Sequence, residues 1–203
     1  MTEPLVVAID GPAGSGKSTV ARAVAARLRL QVLDTGSMYR AVTALALRAG
    51  IDPGDAEKVA LLATQVELQV GDRIIADGVD VTDSLRADAV NEAVSVVASI
   101  PEVRRELVER QRAWVIEHGG GVVEGRDIGS VVFPQAPVKV YLTAAHDERA
   151  RRRGDEAPES VARRDELDGG RSVSPLVAAS DAHVLDTTDR AIDDVVEEIL
   201  SWL

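Results

Sequence analysis

Residues 11–18 read Gly-Pro-Ala-Gly-Ser-Gly-Lys-Ser, a G-x-x-x-x-G-K-[ST] pattern, and its flanks restrict the fold more than any other feature. Leu5 to Ile9 is a continuous apolar run ending at Asp10, as expected of a strand buried on both faces of a parallel sheet. From Lys17 to Leu30 the apolar residues Val20, Val24 and Leu28 recur at helical spacing. A strand, a glycine-rich turn and a helix N-terminus, in that order, make a cradle for phosphate. The glycines let backbone N–H groups point inward, and the helix adds the positive end of its dipole. Gly11, Pro12, Ala13, Gly14, Ser15, Gly16, Lys17, Ser18 and Thr19 are therefore the candidate contacts to a donor nucleotide. Lys17 can reach the outer phosphates, and the Ser18 hydroxyl suits Mg²⁺. A chance match in a chain of this length has a probability of roughly 1%, so a glycine-rich turn that binds nothing is the weaker reading.

The rest of the chain alternates in the same manner. Short apolar runs at Val32–Leu33, Val122–Val123, Val138 to Leu142 and Val184–Leu185 read as strands. Met38 to Ala49, Val90 to Val97 and Ile192 to Leu203 carry helical stripes, and Pro101 opens a further helix with Val103, Leu107 and Trp114 inward. Between Glu67 and Val81 the pattern changes to short alternating segments with tight turns, the signature of a small antiparallel sheet. The expected architecture is three-layer α/β/α around a central parallel sheet, with that small sheet in an insertion. Thr35 or Ser37 is a candidate helix cap, and His118, His146 and His183 show no supporting partners.

Charge and composition narrow the partners. The 203 residues carry 34 acidic against 23 basic side chains, a net charge of −11, which disfavours polymeric nucleic acid. Only Lys17, Lys58 and Lys139 among the basic residues are lysine, and arginine is the better fork for phosphate oxygens. With no cysteine there is neither a disulfide framework nor a thiolate metal site. No membrane segment or signal peptide is apparent, and a cytoplasmic monomer is the expectation. A GTPase is disfavoured because no Asn-Lys-x-Asp motif is present. Downstream of the phosphate loop a strand of several apolar residues ending in Asp is also hard to find, and the nearest acidic substitute is Glu124 after Val122 and Val123. A compact chain with a phosphate loop and many arginines points to a kinase that clamps two phosphorylated molecules.

Several further motifs resemble the bacterial cytidylate kinases, which act on CMP and dCMP. They are Ile9 to Ser18, Leu33-Asp-Thr-Gly-Ser-Met-Tyr-Arg40, Pro101-Glu-Val-Arg104 with Arg110-Gln-Arg112, Glu124-Gly-Arg-Asp-Ile-Gly129 with Val131-Val-Phe-Pro134, and Arg163-Arg-Asp165 with Arg171-Ser-Val-Ser-Pro-Leu176. The resemblance runs from Ile9 to about Thr187, and the order and spacing of the motifs are its specific part.

The resemblance implies ATP-dependent phosphorylation of CMP and dCMP, with Mg²⁺ on Ser18 and Glu124 holding a metal-bound water. It implies a core of residues 1–34, 119–145 and 172–203, an acceptor-binding domain at 35–118 and a lid at 146–171. Thr35, Tyr39 and Arg40 line the acceptor pocket by this pattern, Arg40 meeting the phosphate. Ser95 and Arg104 read the cytosine edge. Arg126 holds the acceptor phosphate and Asp127 supports base recognition. Arg164 and Arg171 neutralise phosphates, Asp168 touches the sugar, and Arg149 and Arg153 approach ATP. Lys17, Arg126, Arg164 and Arg171 form the catalytic set. Only ten residues, Gly154 to Arg163, join the arginine cluster to Arg164, so a short lid closing through arginine–phosphate contacts is expected. Kinases with another acceptor, UMP or shikimate, and an RNA-responsive binder are the competing classes.

Overall fold

The central strand β1, Leu5–Asp10, is apolar on both faces because it is covered on both. Alternation along it sends Val7 and Ile9 into a core with Val20, Val24, Val195 and Ile199, and sends Ala8 and Asp10 to the opposite face. This computed structural model describes residues 4–152 and 176–203. Arg153, Arg163, Arg164, Asp168, Arg171 and most of the expected lid lie outside the described residues.

After β1 come α1 (Lys17–Leu28), β2 (Val32–Asp34), α2 (Thr35–Arg48) and α3 (Ala56–Gln65). They are followed by β3 (Leu68–Val70), β4 (Ile74–Ala76), β5 (Val79–Asp80), α4 (Asp88–Val97) and α5 (Pro101–Glu117). The chain then returns through β6 (Gly120–Gly125), β7 (Val138–Thr143), α6 (His146–Arg152), β8 (His183–Asp186) and α7 (Ile192–Leu200). A 3₁₀ turn spans Thr82–Arg86 and a π-helical turn spans Ile128–Val132.

The main sheet has five strands in the order β2-β6-β1-β7-β8, and β1 pairs in parallel with both β6 and β7. The second sheet, β3-β4-β5, is antiparallel. Its last turn is Asp77-Gly78, both with positive φ (48° and 76°), the conformation a two-residue hairpin demands. Both sheets agree with the expected architecture. By contacts the chain forms two compact units, Met1–Leu33 with Arg112–Leu203 and, separately, Asp34–Gln111.

Two local expectations need correction. The cap of α2 is Asp34, one residue before Thr35. Its carboxylate accepts from the Ser37 N–H at 3.2 Å, while the Ser37 hydroxyl donates to the Asp34 carbonyl at 2.6 Å. All three histidines also have partners, His146 Nδ1 lying 3.7 Å from Asp147 Oδ1. His118 stacks on Trp114 with ring centroids 4.1 Å apart, and His183 stacks on Trp202 at 3.8 Å.

Candidate active site

In an open parallel sheet, ligands gather beyond the C-terminal ends of the strands, and in the first unit the motif residues lie there. β1 runs directly into Gly11, whose φ is +146° and where a Cβ would stand 2.2 Å from the Leu142 carbonyl. Only glycine lets the loop leave the strand that close to β7. Gly14 (φ +77°) packs equally close to α6, since a Cβ there would meet the Arg149 carbonyl at 2.6 Å. The Gly16 cap then turns the chain into α1.

Lys17 is buried, and its Nζ donates to the Pro12 carbonyl at 2.7 Å, so the ammonium folds over the loop. The Ser18 hydroxyl donates to Glu124 Oε2 at 2.9 Å, joining α1 to the end of β6. Glu124 is 4% exposed. The Ser15 hydroxyl is fully buried and has no hydrogen-bond partner among the described residues. Arg149 Nη1 donates to the Ala13 carbonyl at 3.2 Å. Arg152 reaches Thr187, whose hydroxyl donates to the Ser15 carbonyl at 3.0 Å. Arg152 and Arg151 both grip Glu148, and those hydrogen bonds hold its carboxyl down at about 2.

Beyond β6, Arg126 Nη1 donates to the Gly11 carbonyl at 2.7 Å. Asp127 is buried at the head of the π-helical turn, yet its side chain makes no capping bond. Asp10 makes the capping bonds instead, accepting from the Ile128 and Gly129 N–H groups at 2.8 Å each. Burial pushes the Asp10 carboxyl up to about 6, against the pull of those two N–H bonds. Nothing in the sequence marked Asp10 as a site residue. Its partners are 118 and 119 positions away, and no local pattern reports such a contact.

The second unit groups the other candidates. Thr35, Tyr39, Ser95 and Arg104 are all buried there. Arg104 is only 4% exposed and its guanidinium carbon lies 5.6 Å from the Tyr39 ring centroid, so it is not a solvated helix-face arginine. Its Nη1 also donates to the Ala98 carbonyl at 3.2 Å. Arg40 is oriented by Nη1, which donates to the Leu85 carbonyl and to Asn91 Oδ1, both at 2.7 Å.

The family described as cytidylate kinase matches this sequence over residues 7–203. The chain belongs to the cytidylate kinase family. A cytidylate kinase of Mycolicibacterium paratuberculosis is 49% identical, covering 98% of this chain and 95% of its own. One from Limosilactobacillus reuteri is 46% identical, covering 98% and 95%. Among solved structures, a gluconokinase from Sinorhizobium meliloti 1021 shares the fold with a TM-score of 0.52 at 13% identity, covering 100% of this chain and 93% of its own. As a cytidylate kinase family member the protein is a phosphotransferase of the nucleoside monophosphate kinase type. Among the described residues, no helix is long and apolar enough to cross a membrane.

Proposed function

We propose that the protein transfers the γ-phosphoryl group of ATP to CMP, and to dCMP, giving ADP and the corresponding diphosphate. The observation that carries this reading is 49% identity, over 98% of the chain, to a protein named cytidylate kinase. The local geometry supports it. The orphaned Ser15 hydroxyl is a donor that a phosphate oxygen satisfies.

The acceptor is a phosphate monoester whose second pKa is about 6, so at neutral pH it is already a nucleophilic dianion. Catalysis then reduces to alignment and charge neutralisation, with no general base. Lys17 neutralises the transferring group from the donor side. Arg126 holds the acceptor phosphate, with Arg40 as the second cation. Arg164 and Arg171 on phosphates and Asp168 on the sugar complete this reading from outside the described residues. The all-oxygen pair Ser18 and Glu124, 2.9 Å apart, fits Mg²⁺, which prefers hard ligands and takes most of its other oxygens from phosphate and water. Ser18 would bind it directly and Glu124 through a water, and the ion supplies neutralisation of the phosphate oxygens.

Cytosine presents O2 and N3 as acceptors and its 4-amino group as a donor. In this reading Arg104, preset against Tyr39, answers the acceptors, while Ser95 and Asp127 take the amine. Uracil replaces that amine with a carbonyl, which would face a carboxylate, and the mismatch disfavours UMP by roughly 1–3 kcal/mol. Comparing CMP, dCMP, UMP and AMP as acceptors with ATP tests the reading. CMP is expected to give the highest kcat/KM, and a preference for UMP or AMP would overturn it. Asp127→Ala should narrow the CMP-to-UMP ratio, whereas an unchanged ratio would place amine recognition elsewhere.

A further inference from the structure

Asp10 is 5% exposed, and both of its carboxylate oxygens accept from consecutive backbone amides, Ile128 and Gly129, at 2.8 Å. These amides open the π-helical turn that follows Gly125-Arg126-Asp127, and with no partner they would be buried orphan donors. The next residue, Gly11, holds the segment just before that turn through its backbone carbonyl, which accepts from Arg126 Nη1 at 2.7 Å. Two consecutive residues at the end of the central strand thus clamp both the backbone and the arginine of one turn.

An ordinary cap would come from the residue at the head of the turn, which is Asp127, but its side chain makes no capping bond. We infer that Asp10 is a positioning residue for phosphoryl transfer: it caps the 128–132 turn from the neighbouring strand, fixing where Arg126 presents its guanidinium and leaving Asp127 out of the capping role. The inference rests on the reading above that Arg126 holds the acceptor phosphate. A carboxylate is required, because an asparagine can accept from only one of the two amides and would turn an N–H toward the other. Small displacements of a positioning group cost orders of magnitude in rate.

The test is a double-mutant cycle between Asp10→Asn and Arg126→Ala, with kcat and KM for CMP and, separately, binding of a fluorescent ATP analogue. Asp10→Asn is expected to lower kcat/KM for CMP roughly 10- to 100-fold, with ATP-analogue affinity held within about twofold. In the Arg126→Ala background the same change should cost almost nothing further, because its effect runs through that arginine. Losses that multiply in the double variant, or ATP affinity falling in parallel, would overturn the inference. If Asp10→Asn does not fold, Asp10→Ser, which keeps one acceptor without a charge, goes through the same cycle. Failure of both to fold would assign Asp10 to stability alone. The underlying reading fails separately, when the wild type does not phosphorylate CMP or Arg126→Ala retains full activity.

Discussion

Asp10 carries an energetic cost that its position explains. With the carboxyl raised from 3.8 to about 6 by burial, the ionised form is disfavoured in the fold by roughly 3 kcal/mol. The folded value lies above the unfolded one, so the stability tied to this proton is fully present below pH 3.8 and is lost as pH rises through about 6. Between about pH 5 and pH 7 the wild type should lose about 1 kcal/mol that Asp10→Asn does not lose, measured as the difference in urea unfolding free energy. Equal pH dependence in the two proteins would contradict this. Lys17 is the opposite case, a buried cation that donates to the Pro12 carbonyl and that the proposed function assigns to the donor phosphates. Lys17→Ala should stay folded and drop kcat by at least ~100-fold, the usual loss for one electrostatic stabiliser of the transition state. Near-normal turnover would remove the loop from the mechanism.

Among the elements, those set by local periodicity were legible in the sequence. The α7 stripe Val195, Val196 and Ile199 is buried against the sheet core, and Pro101 opens α5 as its sequence indicates. Elements set by distant partners were not legible. The π-helical turn depends on Asp10, and the burial of Arg104 depends on Tyr39, which lies on another helix. From sequence the cap falls at Thr35 or Ser37 and not at Asp34, because any of these side chains can serve at a strand-to-helix junction and only backbone geometry decides. Two glycines with similar φ separate local strain from packing. Gly14→Ala brings a Cβ within 2.6 Å of the α6 backbone, whereas a Cβ at Gly78 (φ +76°) meets nothing within 4 Å. Both should lose about 1 kcal/mol to backbone strain, but only Gly14→Ala should also raise KM for ATP, by about tenfold, equivalent to roughly 1.4 kcal/mol. Equal effects of the two variants on ATP would contradict the packing argument.

Across the whole molecule, the sheet order β2-β6-β1-β7-β8 places the phosphate loop after the central strand, and the Glu124–Asp127 segment spans the end of its neighbour β6. In the proposed reading most of the cations that answer phosphate are arginines dispersed along the chain, so a protein with net charge −11 would still present positive charge locally. Three of the sequence motifs, Ile9 to Ser18, Leu33 to Arg40 and Glu124 to Gly129, each begin at the end of a strand, where short local patterns are easiest to read. The central claim is that the phosphoryl group passes from ATP to CMP itself, with water kept out. Phosphorus NMR of a reaction containing ATP, CMP and Mg²⁺ reads this directly. ADP and CDP should appear in equal amounts with inorganic phosphate at background. Phosphate accumulating without CDP would contradict the account.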